Sequence, residues 1–212
     1  MSEPLRVVKL GGSLLDVEDF PRRLNDWLQR QPAGRSVLIV GGGKLADELR
    51  NVSQRHKVGD EIMHWLCIES MCINAKWVAE LLPECCWCNT LEQAKQASVG
   101  SWAVLDVVKF LREEEPRASG NPLPVGWHVT SDSIAARVAE LCDGSELVLL
   151  KSCLPKEGWT PESLAQEGVV DAHFPQAAKQ VRRIRCVNIR GEWVEESVWE
   201  ADYLGSKPSS LI

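Results

Sequence analysis

Several things are scarce in this 212-residue sequence, and each scarcity removes a class of function. No apolar run approaches bilayer-spanning length, and the amino terminus MSEPLRVVKL lacks a signal-peptide pattern. The expectation is a cytoplasmic protein with no membrane partner. Positive charge is in deficit: 24 Lys and Arg stand against 30 Asp and Glu, a formal net charge of −6. That excludes the broad basic surface of a nucleic-acid binder, so an anionic substrate needs a local positive site. Tyrosine occurs once and phenylalanine three times, leaving nine tryptophans to supply most of the aromatic surface for core and interface packing. Eight cysteines are present, and in a reducing compartment they stay as thiols. The cluster Cys85, Cys86, Cys88 has no second cluster to complete a zinc site, so it reads as a short buried strand and no metal ligand is assigned. Repeats, low-complexity stretches and linkers are also lacking, and residues 1–212 read as one domain.

What is present is an alternation of strand and helix signals, the pattern of a mostly parallel sheet covered by helices. LRVVKL is a first strand. DVEDFPRRLNDWLQRQ follows as a helix with Phe20, Leu24, Trp27 and Leu28 on one face. SVLIV is a continuous apolar run suited to a strand buried on both sides. KLADELRNVSQRH places Leu45, Leu49 and Val52 at helical spacing, and a longer helix from about Asp60 to Leu82 carries a stripe of Met63, Cys67, Met71, Val78 and Leu82. TLEQAKQA is a short helix capped by Thr90, with Gln93 three residues on. WAVLDVVKFL is a strand, or a strand whose second half is a turn or helix, and REEEPRASGNPLP is a surface loop or lid whose acidic run, Glu113 to Glu115, reads as a solvated face. TSDSIAARVAELC is a capped helix, SELVLLKS a buried strand, TPESLAQEG a helix stopped by Gly168, and RIRCVNIRGEWVEE a closing hairpin.

Two glycine clusters, KLGGS and VGGGK, each fall between a strand and a helix. In an open parallel sheet that boundary is the carboxyl edge, where ligands bind. Glycine allows close backbone approach, and the amides at a helix start form an anion site. Two such loops on one edge suit a ligand with phosphates at both ends. Neither is a Walker A loop, because Lys44 is followed by Leu45, and no G-x-G-x-x-G fingerprint is present. Lys9, two residues before a glycine pair, would end its strand with an ammonium in the phosphate site.

VKLGGS, VLIVGGG and TSDSIAA, in that order, resemble the amino acid kinase superfamily over nearly the whole chain. The resemblance implies a three-layer αβα sandwich around a mostly parallel open sheet, and transfer of the γ-phosphoryl group of ATP with Mg2+. It implies that Lys9 neutralises the phosphates and Asp132 orients it. Gly11, Gly12 and Ser13 would bind the transferring group, and Gly41, Gly42 and Gly43 the acceptor. Lys151, at the end of ELVLLK, is the candidate nucleotide contact, with Lys156 in the next loop as a second. Asp171, in GVVDAHF, caps the helix near Phe174 or organises the nucleotide site.

Within the superfamily, GGGKLADELR has no histidine of the kind expected in isopentenyl phosphate kinases. LLKSCLPKEG departs from the threonine-aspartate motif of uridylate kinases. GGGKLADELR, GDEIMHWLCIESM, WHVTSDSIAARVA and GVVDAHF resemble the aminomethylfuran phosphate kinases of methanofuran biosynthesis, whose bacterial relatives accompany tetrahydromethanopterin-linked one-carbon metabolism. Such an acceptor presents a phosphate, a flat ring and an ammonium. His64, Trp65 or Met71 would line the ring and Asp47 would meet the amine. An amino acid, carbamate or uridylate kinase remains open as an alternative, as does a non-catalytic nucleotide-binding or storage protein. The resemblance also implies a homo-oligomer, a dimer or a hexamer.

Overall fold

The computed structural model describes residues 4–143, 146–191 and 194–201. Its elements run β1 Leu5–Leu10, α1 Phe20–Gln29, β2 Arg35–Val40, α2 Gly43–His56, α3 Asp60–Leu81, β3 Cys85–Cys88, α4 Leu91–Lys95, β4 Trp102–Leu105 and α5 Val107–Lys109. Then follow α6 Ser131–Leu141, β5 Glu146–Lys151, α7 Pro161–Gln166, α8 Phe174–Ala177, β6 Arg183–Asn188 and β7 Glu195–Glu200. The seven strands form one sheet in the order β3-β4-β2-β1-β5-β6-β7, parallel except for the β6–β7 hairpin. Residues 145, 192 and 193 of the expected strand and hairpin lie outside the described residues. Among the described residues no helix is long and apolar enough to cross a membrane.

The central strands are apolar on both sides because both faces are covered, and their alternation sorts two cores. Val7, Val37, Ile39, Leu147 and Leu149 pack under α3, α6 and α8. Val8, Leu10, Leu38, Val40, Val148 and Leu150 pack with Phe20, Leu24, Trp27 and Leu28 of α1 on the other face. The α1 stripe is the one its periodicity predicts. Chain order reverses at β1: β2, β4 and β3 extend to one side, and β5, β6 and β7 to the other. A crevice outside the carboxyl ends of the strands opens at such a switch point.

Three expectations need correcting. On α2 the buried residue is Ala46, whereas Leu45 is exposed and Leu49 and Val52 are half-covered, because this helix lies against α3 and not over the sheet. The cysteine strand β3 is an edge strand, so Cys85, Cys86 and Trp87 are only half-buried. In the acidic run, Glu115 is 3% exposed and meets the equally buried Arg137 at 3.1 Å, while Glu114 accepts from the Leu91 amide. The 112–124 segment is thus tied at its base to α6.

Candidate active site

Strand parity builds the centre of the site. Lys9 shares a sheet face with Val7 on β1, and Lys151 shares it with Leu147 and Leu149 on β5, the neighbouring strand. Helix α6 covers that face, and its first turn brings Asp132 between them. The Asp132 Oδ1 lies 3.0 Å from Lys9 Nζ and 2.8 Å from Lys151 Nζ. Lys9 and Asp132 are each 5% exposed. Burial pushes the Lys9 ammonium down to about 8, against the pull of Asp132, with Lys151 adding to the lowering. Burial works to raise the Asp132 carboxyl, but the two lysines outweigh it and hold it below its ordinary value. An anion bracketed by two cations leaves one net positive charge at the switch point, suited to polyphosphate.

The glycine loops lie back to back beside it. A β-carbon on Gly12 would overlap the main chain of Gly43, one on Gly11 would sit 2.7 Å from the Leu150 carbonyl, and one on Gly42 2.6 Å from Ala46. Gly43 also adopts φ +51, a left-handed conformation that favours glycine. Asn74 on α3, buried, donates to the carbonyls of Gly41 and Gly42 at 2.8 and 2.9 Å and pins the second loop from below. Gly43 opens α2, and the first-turn amides of a helix have no intrahelical partner.

The first turn of α6 is held from a distance. Asp171 accepts from the Thr130 amide and hydroxyl, the Ser133 amide and hydroxyl, and the His173 amide, at 2.5–3.1 Å. It therefore caps α6 and also shapes the entry to α8. The Thr130 hydroxyl, expected to cap its own helix, donates to Asp171 instead.

A cleft of about 220 Å³ opens in front of Lys9 and Asp132. It gathers Gly12, Ser13, Gly41, Gly42, Gly43, Asp47, His64 and Met71 of the sequence candidates. Gly11 sits behind the loop, its amide bonded to the Leu150 carbonyl. Lys151 stands on the far side of Asp132 and also donates to the Val169 carbonyl at 2.6 Å, and Asp171 lies beneath α6. Exposed Lys156 pairs with Glu167, and Trp65 faces a neighbouring cavity. Asp47 is already paired with Arg50 at 2.5 Å. Arg50, Cys67, Trp127 and Thr130 are among the rest of the lining, and with Asn74 they are residues that sequence reasoning missed. Arg50 had a signal, since it lies one turn from Asp47 on the same helix. Trp127 had none, because its place depends on its indole N–H bonding Asp60 across 67 residues. Among the described residues no cluster of three His, Cys, Asp or Glu side chains is placed to hold a metal ion.

The sequence profile of the amino acid kinase family matches residues 4–153. A relative named as a 5-(aminomethyl)furan-3-yl-methyl phosphate kinase, from Methanocaldococcus jannaschii, is 23% identical over 146 residues. That match covers 68% of this chain, and the chain spans 64% of the relative's length. Among solved structures, the uridylate kinase of Archaeoglobus fulgidus is similar with a TM-score of 0.58 at 16% identity, covering 84% of this chain and 88% of that one. The UMP kinase of Bacillus anthracis is similar with a TM-score of 0.60 at 10% identity, covering 91% and 90%. These likenesses show the fold, an α/β sandwich with a mostly parallel seven-stranded sheet. With the profile match spanning most of the sequence, the chain belongs to the amino acid kinase family.

Proposed function

We propose that this protein is an ATP-dependent kinase that transfers the γ-phosphoryl group to a small phosphate monoester. Its acceptor would be 5-(aminomethyl)furan-3-yl-methyl phosphate, converted to the diphosphate. The observation that carries the kinase reading is Asp132 held between Lys9 and Lys151 beside a glycine-lined cleft. An acceptor phosphate oxygen is already anionic, so no general base is required. It forms a bond to the γ-phosphorus as the bond to the β–γ bridging oxygen breaks, and the electron pair leaves with ADP. What the reaction needs is alignment and neutralisation of the charge on the transferring group. Lys9 and Lys151 supply the neutralisation. Asp132 is a positioning residue, since both lysines occupy it.

Mg2+ would enter on the nucleotide phosphates, as is usual for an ion that keeps most of its water, and would add charge neutralisation there. The acceptor reading is supported by the distant furan phosphate kinase and by the cleft's chemistry. Arg50 and the amides at Gly42 and Gly43 suit a phosphate, while Ile68 and Met71 offer an apolar wall for a ring. Asp47 would exchange its pairing with Arg50 for the acceptor's ammonium.

Phosphorus NMR with Mg-ATP tests both levels, using the furan phosphate, isopentenyl phosphate, UMP, acetylglutamate and carbamate as acceptors and Lys9→Ala as control. A new diphosphate signal with the furan phosphate alone, lost in Lys9→Ala, is the expected result. Turnover of UMP or a carboxylate instead would leave the kinase standing and remove the acceptor. ATP binding with no turnover would overturn the kinase reading in favour of a binding protein.

A further inference from the structure

The acceptor cleft ends against a thin partition. Behind His64 lies a second cavity of about 180 Å³, lined by Trp65, Leu111, Pro122, Leu123, Pro124 and Val125 among others. His64 and Val129 line both spaces. The partition is therefore the imidazole, the Val129 side chain and the main chain around Gly126.

We propose that His64 sets the length of the acceptor: it closes the polar cleft and shuts off an apolar pocket that would otherwise take an aliphatic or aryl extension of a phosphate monoester. This deepens the kinase reading and rests on it. The ring is fixed on two sides. Its Nδ1 lies 3.2 Å from the Gly126 carbonyl oxygen and 3.3 Å from the Gly126 nitrogen, and Trp65 meets it edge-on at 5.3 Å between ring centres. Trp65 is itself covered by the Arg112 guanidinium at 4.4 Å. Burial lowers the imidazole's affinity for a proton, so the wall faces the acceptor uncharged. Beyond it, the lining carries one ionised side chain, Glu115, whose carboxylate is bound by Arg137 and the Leu123 amide. The space behind His64 thus rewards only apolar groups.

The test compares ethyl phosphate with n-octyl phosphate as acceptors for wild type and His64→Asn. The asparagine amide reaches about as far as Nδ1, so it can keep the Gly126 bond while removing the outer half of the ring. The octyl-to-ethyl ratio of kcat/KM should rise roughly tenfold or more. Adding Leu123→Trp, which fills the rear pocket from a position outside the cleft, should return the ratio toward wild type. Thermal midpoints of both variants establish that they fold, and Val129→Ala thins the partition from its other side if His64→Asn does not. An unchanged ratio in folded enzyme overturns the proposal, as does a gain that Leu123→Trp leaves intact. If wild type turns over no acceptor at all, the kinase reading fails by itself. Calorimetric binding of octyl phosphate then decides the partition: tighter binding by His64→Asn supports it, and equal binding overturns it.

Discussion

The two sides of the switch point use their side chains in opposite ways. Toward β2, the glycine loops and the α2–α3 pair leave a cleft onto which residues face directly: Gly12, Gly42, Arg50, His64 and Met71 all line it. Toward β5, the comparable residues turn inward. Lys151 spends its ammonium on Asp132 and the Val169 carbonyl, and Asp171 spends both carboxylate oxygens on α6 and the start of α8. On the first side the lining faces the cleft; on the other, Asp171 holds α6, and Lys151, already tied to Asp132, is the group assigned above to the nucleotide phosphates. A chain without the threonine-aspartate motif after β5 thus still gathers two lysines and an aspartate at the switch point.

The comparison breaks most visibly at the lysines. Lys9→Ala, on the shared boundary, should lower kcat by about 10³-fold or more, and Lys151→Ala by about 10²-fold, the scale of losing one transition-state contact in a dry site. Steady-state kinetics should show Lys151→Ala raising KM for ATP while KM for the acceptor stays within about twofold. Equal effects on both Michaelis constants would erase the distinction between the sides.

A smaller effect should appear in pH profiles. Because burial holds Lys9 near 8, kcat/KM should fall as pH rises through that value and the ammonium is lost. Stability should move the other way. Between about 8 and the ordinary lysine value of 10.5, the unfolded chain keeps a proton that the folded chain has released, so this group makes stability rise with pH. Chemical denaturation of wild type and Lys9→Met across that range should show the difference. Parallel pH slopes for the two proteins would remove Lys9 as its source.

The smallest effect should come from Asp171→Ala. Losing a helix cap costs about 1–2 kcal/mol, and the looser first turn of α6 should lower kcat about tenfold. Hydrogen exchange of the Thr130 and Ser133 amides should quicken with it. Unchanged exchange at those amides would mean that Asp171 does not hold α6.

Much of this was legible where local chemistry decides the structure. The strands around the switch point are apolar runs, Phe20, Leu24, Trp27 and Leu28 repeat at helical spacing, and the Thr90 hydroxyl accepts from Gln93 three residues on. Lys9 stood out because an ionised group in an apolar strand demands a partner. What stayed hidden depends on pairs far apart in the chain. Asp171 caps a helix that starts 40 residues earlier, and Glu115 is buried only because Arg137 reaches it from α6. An acidic run looks the same whether water or an arginine meets it.

The back-to-back packing of Gly12 and Gly43 sets the span between the two glycine loops by main-chain contact, with Asn74 pinning the second loop from outside the cleft. No side chain in the cleft sets that distance, so none of them has to be kept to preserve it. Residues such as Arg50, His64 and Met71 can therefore be exchanged without moving the two loops relative to each other. On the kinase reading the labour is divided: the glycines fix the alignment for transfer, and the walls around them fix the choice of acceptor.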